Sequence, residues 1–81
     1  MNQEYKPINC SYYDRLEDWA TKKQELTITY LSEDEKEQKV EGVITDLFVK
    51  EHVEYLELKD GTVVRLDRIK SINDELMTYK L

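Results

Sequence analysis

The residues best suited to catalysis in this chain are its single cysteine and single histidine, Cys10 and His52. A Cys–His dyad would require the fold to bring them together, because they are far apart in the sequence. Cys10 lies among apolar and aromatic residues just before a predicted helix, so we expect a buried, unreactive thiol there. His52 falls in a predicted turn between strands, where a solvent-facing histidine is common. The two residues therefore give little support to a cysteine enzyme.

Metal and phosphate chemistry have equally little support. The spacings CxxC and HExxH do not occur in the sequence, and these are the patterns that hold zinc in many proteins. Gly42 and Gly61 are explained by sheet geometry rather than by a phosphate-binding loop. Carboxylates are so numerous that no single pair is specific. We therefore predict that the protein is not an enzyme and that it has no catalytic residue, metal site or cofactor.

Composition and length bound the remaining possibilities. The 81 residues predict one domain, spanning 1–81. Hydrophobic residues make up 40% and charged residues 37% of the chain, which is typical of an ordered, soluble protein. One cysteine cannot form an intramolecular disulfide, and neither a signal sequence nor a membrane-spanning apolar run is apparent. These features predict a cytoplasmic protein.

The charge balance indicates what kind of partner the protein could bind. Twelve Lys and Arg residues against eighteen Asp and Glu residues give a formal net charge of −6. Because phosphate backbones are bound through Lys and Arg, this balance disfavours nucleic acid and favours a basic partner. The alternative is that the charge serves only solubility.

A helix is predicted from Tyr12 to Lys23, with Ser11 as its N-cap in a box with Asp14. Pro7 favours an extended arm before it. With about 100° per residue, an apolar stripe forms on one side of this helix. The stripe contains Tyr12, Leu16, Trp19 and Ala20. The opposite side is acidic, with Asp14, Glu17 and Asp18, and Tyr13 lies at the border.

The rest of the chain alternates as strands do. The predicted strands are 26–31, 39–50, 53–58, 62–67 and 68–72, with an indeterminate tail from 73 to 81. Gly42 indicates a bulge or sharp bend within the long strand, and Asp60-Gly61 a two-residue turn. The predicted fold is α+β, mainly β: an N-terminal helix followed by a small, strongly bent antiparallel barrel of about five strands, of the Sm-like or SH3-like kind.

The acidic helix face admits two interpretations. Acids in the first turn of a helix are stabilised by the helix dipole, which explains Asp14 well and Asp18 poorly. Asp14 lies three residues before Glu17 and four before Asp18, and each such pair of like charges destabilises a helix by about a few tenths of a kcal/mol. The other interpretation is a docking surface for a basic partner, with Tyr13 as a rigid anchor beside the charge.

Three segments of the sequence resemble the Rof family of Rho-binding antiterminators. They are "YKPINCSYYDRLE" (5–17), "VEYLEL" (53–58) and "LDRIKSI" (66–72). The match keeps its order and spacing over nearly the whole chain. The resemblance implies an Sm-like barrel with an N-terminal helix. It also implies binding to the RNA-binding N-terminal region of the hexameric transcription termination factor Rho, which would keep RNA from its primary site and reduce termination.

The resemblance also implies a set of contact residues. Tyr13, Asp14 and Glu17 match the family motif and take the partner-contact role, and Asp18 joins them by helix geometry alone. Lys50, Glu51 and His52 complete the predicted Rho-binding set. Their turn departs from the more basic, Asn-containing turn of the family's best-known member, so we expect the affinity or the partner orthologue to differ here if the turn takes part in docking.

Two other functions stay open at this point. The first is an Sm-like module that binds RNA directly, which the net charge and the lack of a Lys/Arg cluster disfavour. The second is an acidic adaptor for another basic protein. In the leading interpretation the protein is a monomer that contacts neither nucleic acid nor membrane directly.

Overall fold

The structure is a computed structural model, and it describes residues 7–79. Helix α1 (Cys10–Thr21) precedes six strands and one turn of 3-10 helix. The strands are β1 (Glu25–Leu31), β2 (Glu37–Lys50), β3 (Val53–Leu58), β4 (Val63–Arg65), β5 (Ile69–Ile72) and β6 (Glu75–Leu76), and the 3-10 turn (Leu66–Arg68) joins β4 to β5. The predicted α+β, mainly β fold with an N-terminal helix is confirmed.

The six strands form one antiparallel sheet in the order β4-β3-β2-β1-β5-β6. Strand β2 belongs to both halves, because residues 37–43 pair with β1 and residues 44–50 pair with β3. Within the described residues, β4 and β6 are the two edges, and strand pairing does not close the sheet into a ring.

The irregularity in β2 does not lie at Gly42, where the sequence predicts a bulge or sharp bend. The register shifts between Ile44 and Asp46, which places the irregularity at Thr45 rather than at Gly42. A Cβ at Gly42 would lie 3.3 Å from Cδ1 of Leu58. The glycine therefore allows a close approach of the backbone to a buried side chain, which is another known use of glycine in strands.

Helix α1 begins and ends two residues earlier than predicted. Asn9 is the N-cap, and its Oδ1 accepts a 2.8 Å hydrogen bond from the Ser11 backbone N–H. Ser11 thus lies inside the first turn, and the predicted capping box with Asp14 is wrong. At the other end Lys23 has a φ of 53°, which is incompatible with a right-handed helix.

The apolar side of α1 packs on the sheet as the periodicity predicts. Tyr12, Leu16 and Trp19 are buried, and Ala20 is partly buried against them. The rings of Tyr12 and Trp19 meet edge to face, with their centroids 6.4 Å apart. Cys10, in contrast, is exposed, so its predicted burial is wrong.

The segment that follows β5 pairs with the segment that precedes α1. It adds β6 to the sheet, and beyond β6 Tyr79 forms a bridge with Ile8. Ile8 and Met77 both belong to the buried cluster. The other members of that cluster are Tyr12, Leu16, Trp19, Leu26, Ile28, Ile44, Leu56, Leu58, Val64, Leu66, Ile69 and Ile72.

The hairpin between β3 and β4 differs from the predicted two-residue turn. Leu58 N–H donates to the Thr62 carbonyl and Gly61 N–H donates to the Leu58 carbonyl, each over 2.8 Å. The loop therefore has three residues, and Gly61 (φ 93°) supplies the left-handed position that such loops require. The predicted strand 62–67 is correspondingly shorter, because the chain enters the 3-10 turn after Arg65.

Candidate functional site

The three predicted acids of α1 all face solvent. Asp14, Glu17 and Asp18 are exposed on the side away from the core. Asp18 forms an ion pair with Lys22 one turn later, with 3.0 Å between Oδ2 and Nζ. Among residues 7–79 no ion pair engages Asp14 or Glu17. The helix therefore presents two carboxylates whose charge is not locally neutralised, and a third whose charge is.

Tyr13 lies at the seam between this acidic face and the core, as predicted. It is half-buried and packs against the buried cluster. Burial raises the pKa of its phenol, and the nearby carboxylates of Glu54, Glu17 and Asp46 raise the pKa further. The hydroxyl is therefore protonated at neutral pH, with carboxylates around it on α1, β2 and β3.

Asp46 and Glu54 were missed by the sequence reasoning. They lie on strands, where the alternation of residues assigns a face but does not say which helix covers that face. The structure packs α1 against β2 and so brings both carboxylates near Tyr13. The only sequence signal for these two residues was the alternation of side chains between the two faces of the predicted strands 39–50 and 53–58.

A shallow groove of about 460 Å³ joins the start of α1 to the hairpin of β2 and β3. One wall comes from the N-terminal segment and α1, and the other from the hairpin. The lining residues are Pro7, Ile8, Cys10, Tyr13, Asp14, Val49, His52 and Glu54. This groove, called the α1 groove below, places His52 on the same surface as Tyr13 and Asp14, from which it is distant in the sequence.

Two curated proteins are similar to this chain, and both are named Protein rof. One is from Escherichia coli (strain K12) and the other from Shigella flexneri. Each is 34% identical over 76 residues, which cover 90% of this chain and 86% of the relative. The chain belongs to the Rof family. No model of a protein family matches it. The resemblance predicted from the three sequence segments is thereby confirmed.

The turn of this Rof-family chain between β2 and β3 has an unusual backbone. Glu51 (φ 53°) and His52 (φ 68°) both lie in the left-handed region. Two-residue hairpin loops of this kind favour Asn-Gly, because each left-handed position costs a residue with a Cβ about 1–2 kcal/mol. Strain of this kind often accompanies function. His52 is exposed, as predicted.

The structure brings part of the predicted site together and leaves part outside. Tyr13, Asp14 and His52 line the α1 groove, and Glu17 acts on Tyr13 through its charge. Asp18 belongs to the same helix face but not to the groove. Lys50, the last residue of β2, and Glu51, in the turn, are exposed and do not line the groove.

The possible Cys–His pair meets in this same groove. Cys10 is exposed and lines the groove together with His52. Within residues 7–79 no hydrogen bond joins the two side chains, and no group of three or more His, Cys, Asp or Glu residues could hold a metal ion. None of the helical structure in that range is long and apolar enough to span a membrane.

Proposed function

We propose that this Rof-family chain is a Rho-binding antiterminator. It binds the RNA-binding N-terminal region of transcription termination factor Rho, keeps RNA from loading there and so reduces Rho-dependent termination. Its membership of the Rof family supports the function. The observation that supports the site is the α1 groove, in which Tyr13 and Asp14 share a surface with His52.

The chemistry of the α1 groove and of the adjoining acidic helix face suits a competitor of RNA. A surface that holds single-stranded nucleic acid is basic and carries aromatic platforms for the bases. A protein that occupies such a surface needs carboxylates to meet the basic groups and a ring to take a base position. Asp14 and Glu17 supply the carboxylates, and Tyr13 supplies the ring. The net charge of −6 would also steer the encounter at low salt.

The residues of the proposed site have different roles. Tyr13 is the rigid anchor, and its protonated hydroxyl can donate a hydrogen bond to the partner. Asp14 and Glu17 pair with basic side chains of Rho. His52 forms the second wall of the groove, while Lys50, Glu51 and Asp18 contact the partner at the rim.

The same proposal covers the organisation of the protein. It acts without catalysis as a cytoplasmic monomer formed by one domain of residues 1–81. Its curled sheet is a variant of the Sm-like barrel. Support for the barrel comes from β2, which serves both halves of the sheet, and from the 3-10 turn that leads from β4 directly to β5.

The decisive experiment compares two double variants that remove the same charge. Asp14→Ala/Glu17→Ala removes two carboxylates from α1, and Glu33→Ala/Glu35→Ala removes two from the hairpin between β1 and β2. We expect the first variant to weaken the complex with Rho by about tenfold or more, equal to about 1.4 kcal/mol, in calorimetric titration. The second variant should bind Rho nearly as the natural chain does.

The same proteins are then compared in transcription from a Rho-dependent template. The natural chain and the hairpin variant should suppress termination, and the α1 variant should not. Equal losses in both variants would show that net charge rather than α1 is responsible. Failure of the natural chain to bind Rho would contradict the function itself. Tight, salt-sensitive binding of RNA in the absence of Rho would favour the Sm-like RNA-binding alternative.

A further inference from the structure

A second and larger groove, of about 700 Å³, lies beside strand β4. It shares no lining residue with the α1 groove. The β1–β2 hairpin and the end of β1 form one side, and β3, β4 and the 3-10 turn form the other. The lining residues are Tyr30, Leu31, Ser32, Glu33, Glu35, Tyr55, Val63, Val64, Arg65 and Arg68. We call this surface the β4 groove.

Strand β4 offers backbone groups at this groove. The Leu58 N–H bonds to the Thr62 carbonyl at the base of the hairpin. Hydrogen-bonded and non-hydrogen-bonded pairs alternate in an antiparallel ladder, so Leu56–Val64 is the next bonded pair. The N–H and C=O of Val63 therefore point away from β3. Because β4 is a sheet edge within residues 7–79 and Val63 is 51% exposed, an extended chain can add here.

Tyr30, Tyr55 and Val64 form the apolar part of the lining, called the floor of the groove below, and each is held in place by packing. Tyr30 packs against the buried cluster, and Val64 belongs to that cluster. Tyr55 stacks on Phe48 of the neighbouring strand, with the ring centroids 5.2 Å apart and the planes within 3° of parallel. Alternate side chains of an added strand would contact this floor.

The exposed rim of the groove is acidic and favours a basic occupant. Arg65 donates two hydrogen bonds to the Asp67 carboxylate, over 2.7 and 3.1 Å. Arg68 is directed inward, since it donates to the carbonyls of Leu31 and Ser32. Glu33 and Glu35 are exposed at the rim, and no ion pair engages either within the described part of the chain. Arg65 is compensated by Asp67, and the half-buried Arg68 uses its donors on backbone carbonyls. The exposed rim, which an incoming partner meets first, therefore carries the negative charge of Glu33 and Glu35.

We propose that the β4 groove binds an extended, basic peptide segment of a partner protein. The segment adds to β4 as a further strand, places apolar side chains against Tyr30 and Tyr55, and directs Lys or Arg side chains to Glu33 and Glu35. This surface is separate from α1. It would give the protein a second contact that does not depend on the antiterminator function.

The test uses a fluorescently labelled peptide of alternating lysine and valine as the probe. Val63→Pro removes the outward N–H without removing a ladder hydrogen bond, which edge strands tolerate. Glu33→Gln/Glu35→Gln removes the rim charge. Each variant should weaken binding by about fivefold or more in fluorescence anisotropy, and Asp14→Ala/Glu17→Ala should leave binding within about twofold. Amide NMR shifts on titration should be largest at β4.

Several outcomes would overturn the proposal. These are unchanged binding in Glu33→Gln/Glu35→Gln, NMR shifts centred on α1, and an oligouridine probe that binds at β4 as tightly as the peptide. Self-association of the free protein through β4, seen as concentration-dependent sedimentation, would assign the edge to a second copy instead. If circular dichroism shows that Val63→Pro is unfolded, the charge variant and the NMR shifts decide.

Discussion

The Tyr12 hydroxyl donates a 2.7 Å hydrogen bond to the backbone carbonyl of Glu75, which ties the first turn of α1 to β6. The Glu75 side chain also forms an ion pair with Arg15. Both contacts join residues distant in sequence at one point. Because Tyr13 and Asp14 follow Tyr12 directly, the last strand of the sheet helps to hold the proposed docking surface in place.

Tyr12→Phe should destabilise the protein by about 1 kcal/mol, because the Glu75 carbonyl loses its donor while the buried ring is kept. In a protein of this size the melting temperature should fall by about 4–8 °C, measured by circular dichroism. Tyr13→Phe is the matched control, since no hydrogen bond from the Tyr13 hydroxyl is present within the described residues. A similar loss in both variants would contradict the role given to the Tyr12 hydrogen bond.

Alkaline pH should destabilise the fold through Tyr12, Tyr13 and Tyr79. Burial is the largest cause that raises the pKa of each phenol above its ordinary value of 10.0. The folded state therefore retains protons that the unfolded chain releases, so the stabilisation is complete below about pH 10 and is lost as the pH rises toward the folded pKa values. Urea unfolding at a series of pH values measures this loss. Tyr12→Phe/Tyr79→Phe should flatten the decline, and an unchanged slope would contradict the assignment.

The helix face could be predicted because it depends on local spacing, whereas the helix start could not. Asn9 and Ser11 are both good N-cap residues. The structure selects Asn9, whose backbone N–H also donates to the Thr78 carbonyl over 2.9 Å. That partner comes from the far end of the chain. With the start at Cys10, this residue lies about 120° from Leu16 around the helix, which explains its exposure.

The residues of the proposed site also divide into those that local spacing predicts and those that only tertiary contacts bring together. Asp14 and Glu17 are fixed by helical periodicity and were found from the sequence. Asp46 and Glu54 join them only because α1 packs on β2, which is a tertiary contact without a local signature. His52 was placed correctly in a turn, but its place in the same groove as Tyr13 depends on the tertiary arrangement of the β2–β3 hairpin and α1.

Arg68→Lys should lower the free energy of unfolding by about 2 kcal/mol. The guanidinium donates to the Ser32 carbonyl over 2.6 Å and to the Leu31 carbonyl over 3.3 Å, where β1 ends. Lysine keeps the charge but cannot reproduce this planar, two-point contact. Arg15→Lys is the control, because its ion pair with Glu75 is about half exposed and worth less than about 1 kcal/mol. Urea denaturation measures the free energy of unfolding of both variants. Equal losses would contradict the stabilising role given to the hydrogen bonds from Arg68 to Leu31 and Ser32.

Glu51→Asn/His52→Gly should stabilise the fold and weaken binding to Rho. Asn-Gly suits the left-handed backbone of this turn, so we expect a gain of about 1 kcal/mol in thermal unfolding. The same change removes the His52 wall of the α1 groove, which should lower Rho affinity in calorimetric titration. Asp74→Gly is the matched control, since Asp74 (φ 67°) holds a left-handed position in the turn between β5 and β6. It should stabilise without affecting Rho, so unchanged affinity in both variants would remove the β2–β3 turn from the docking surface.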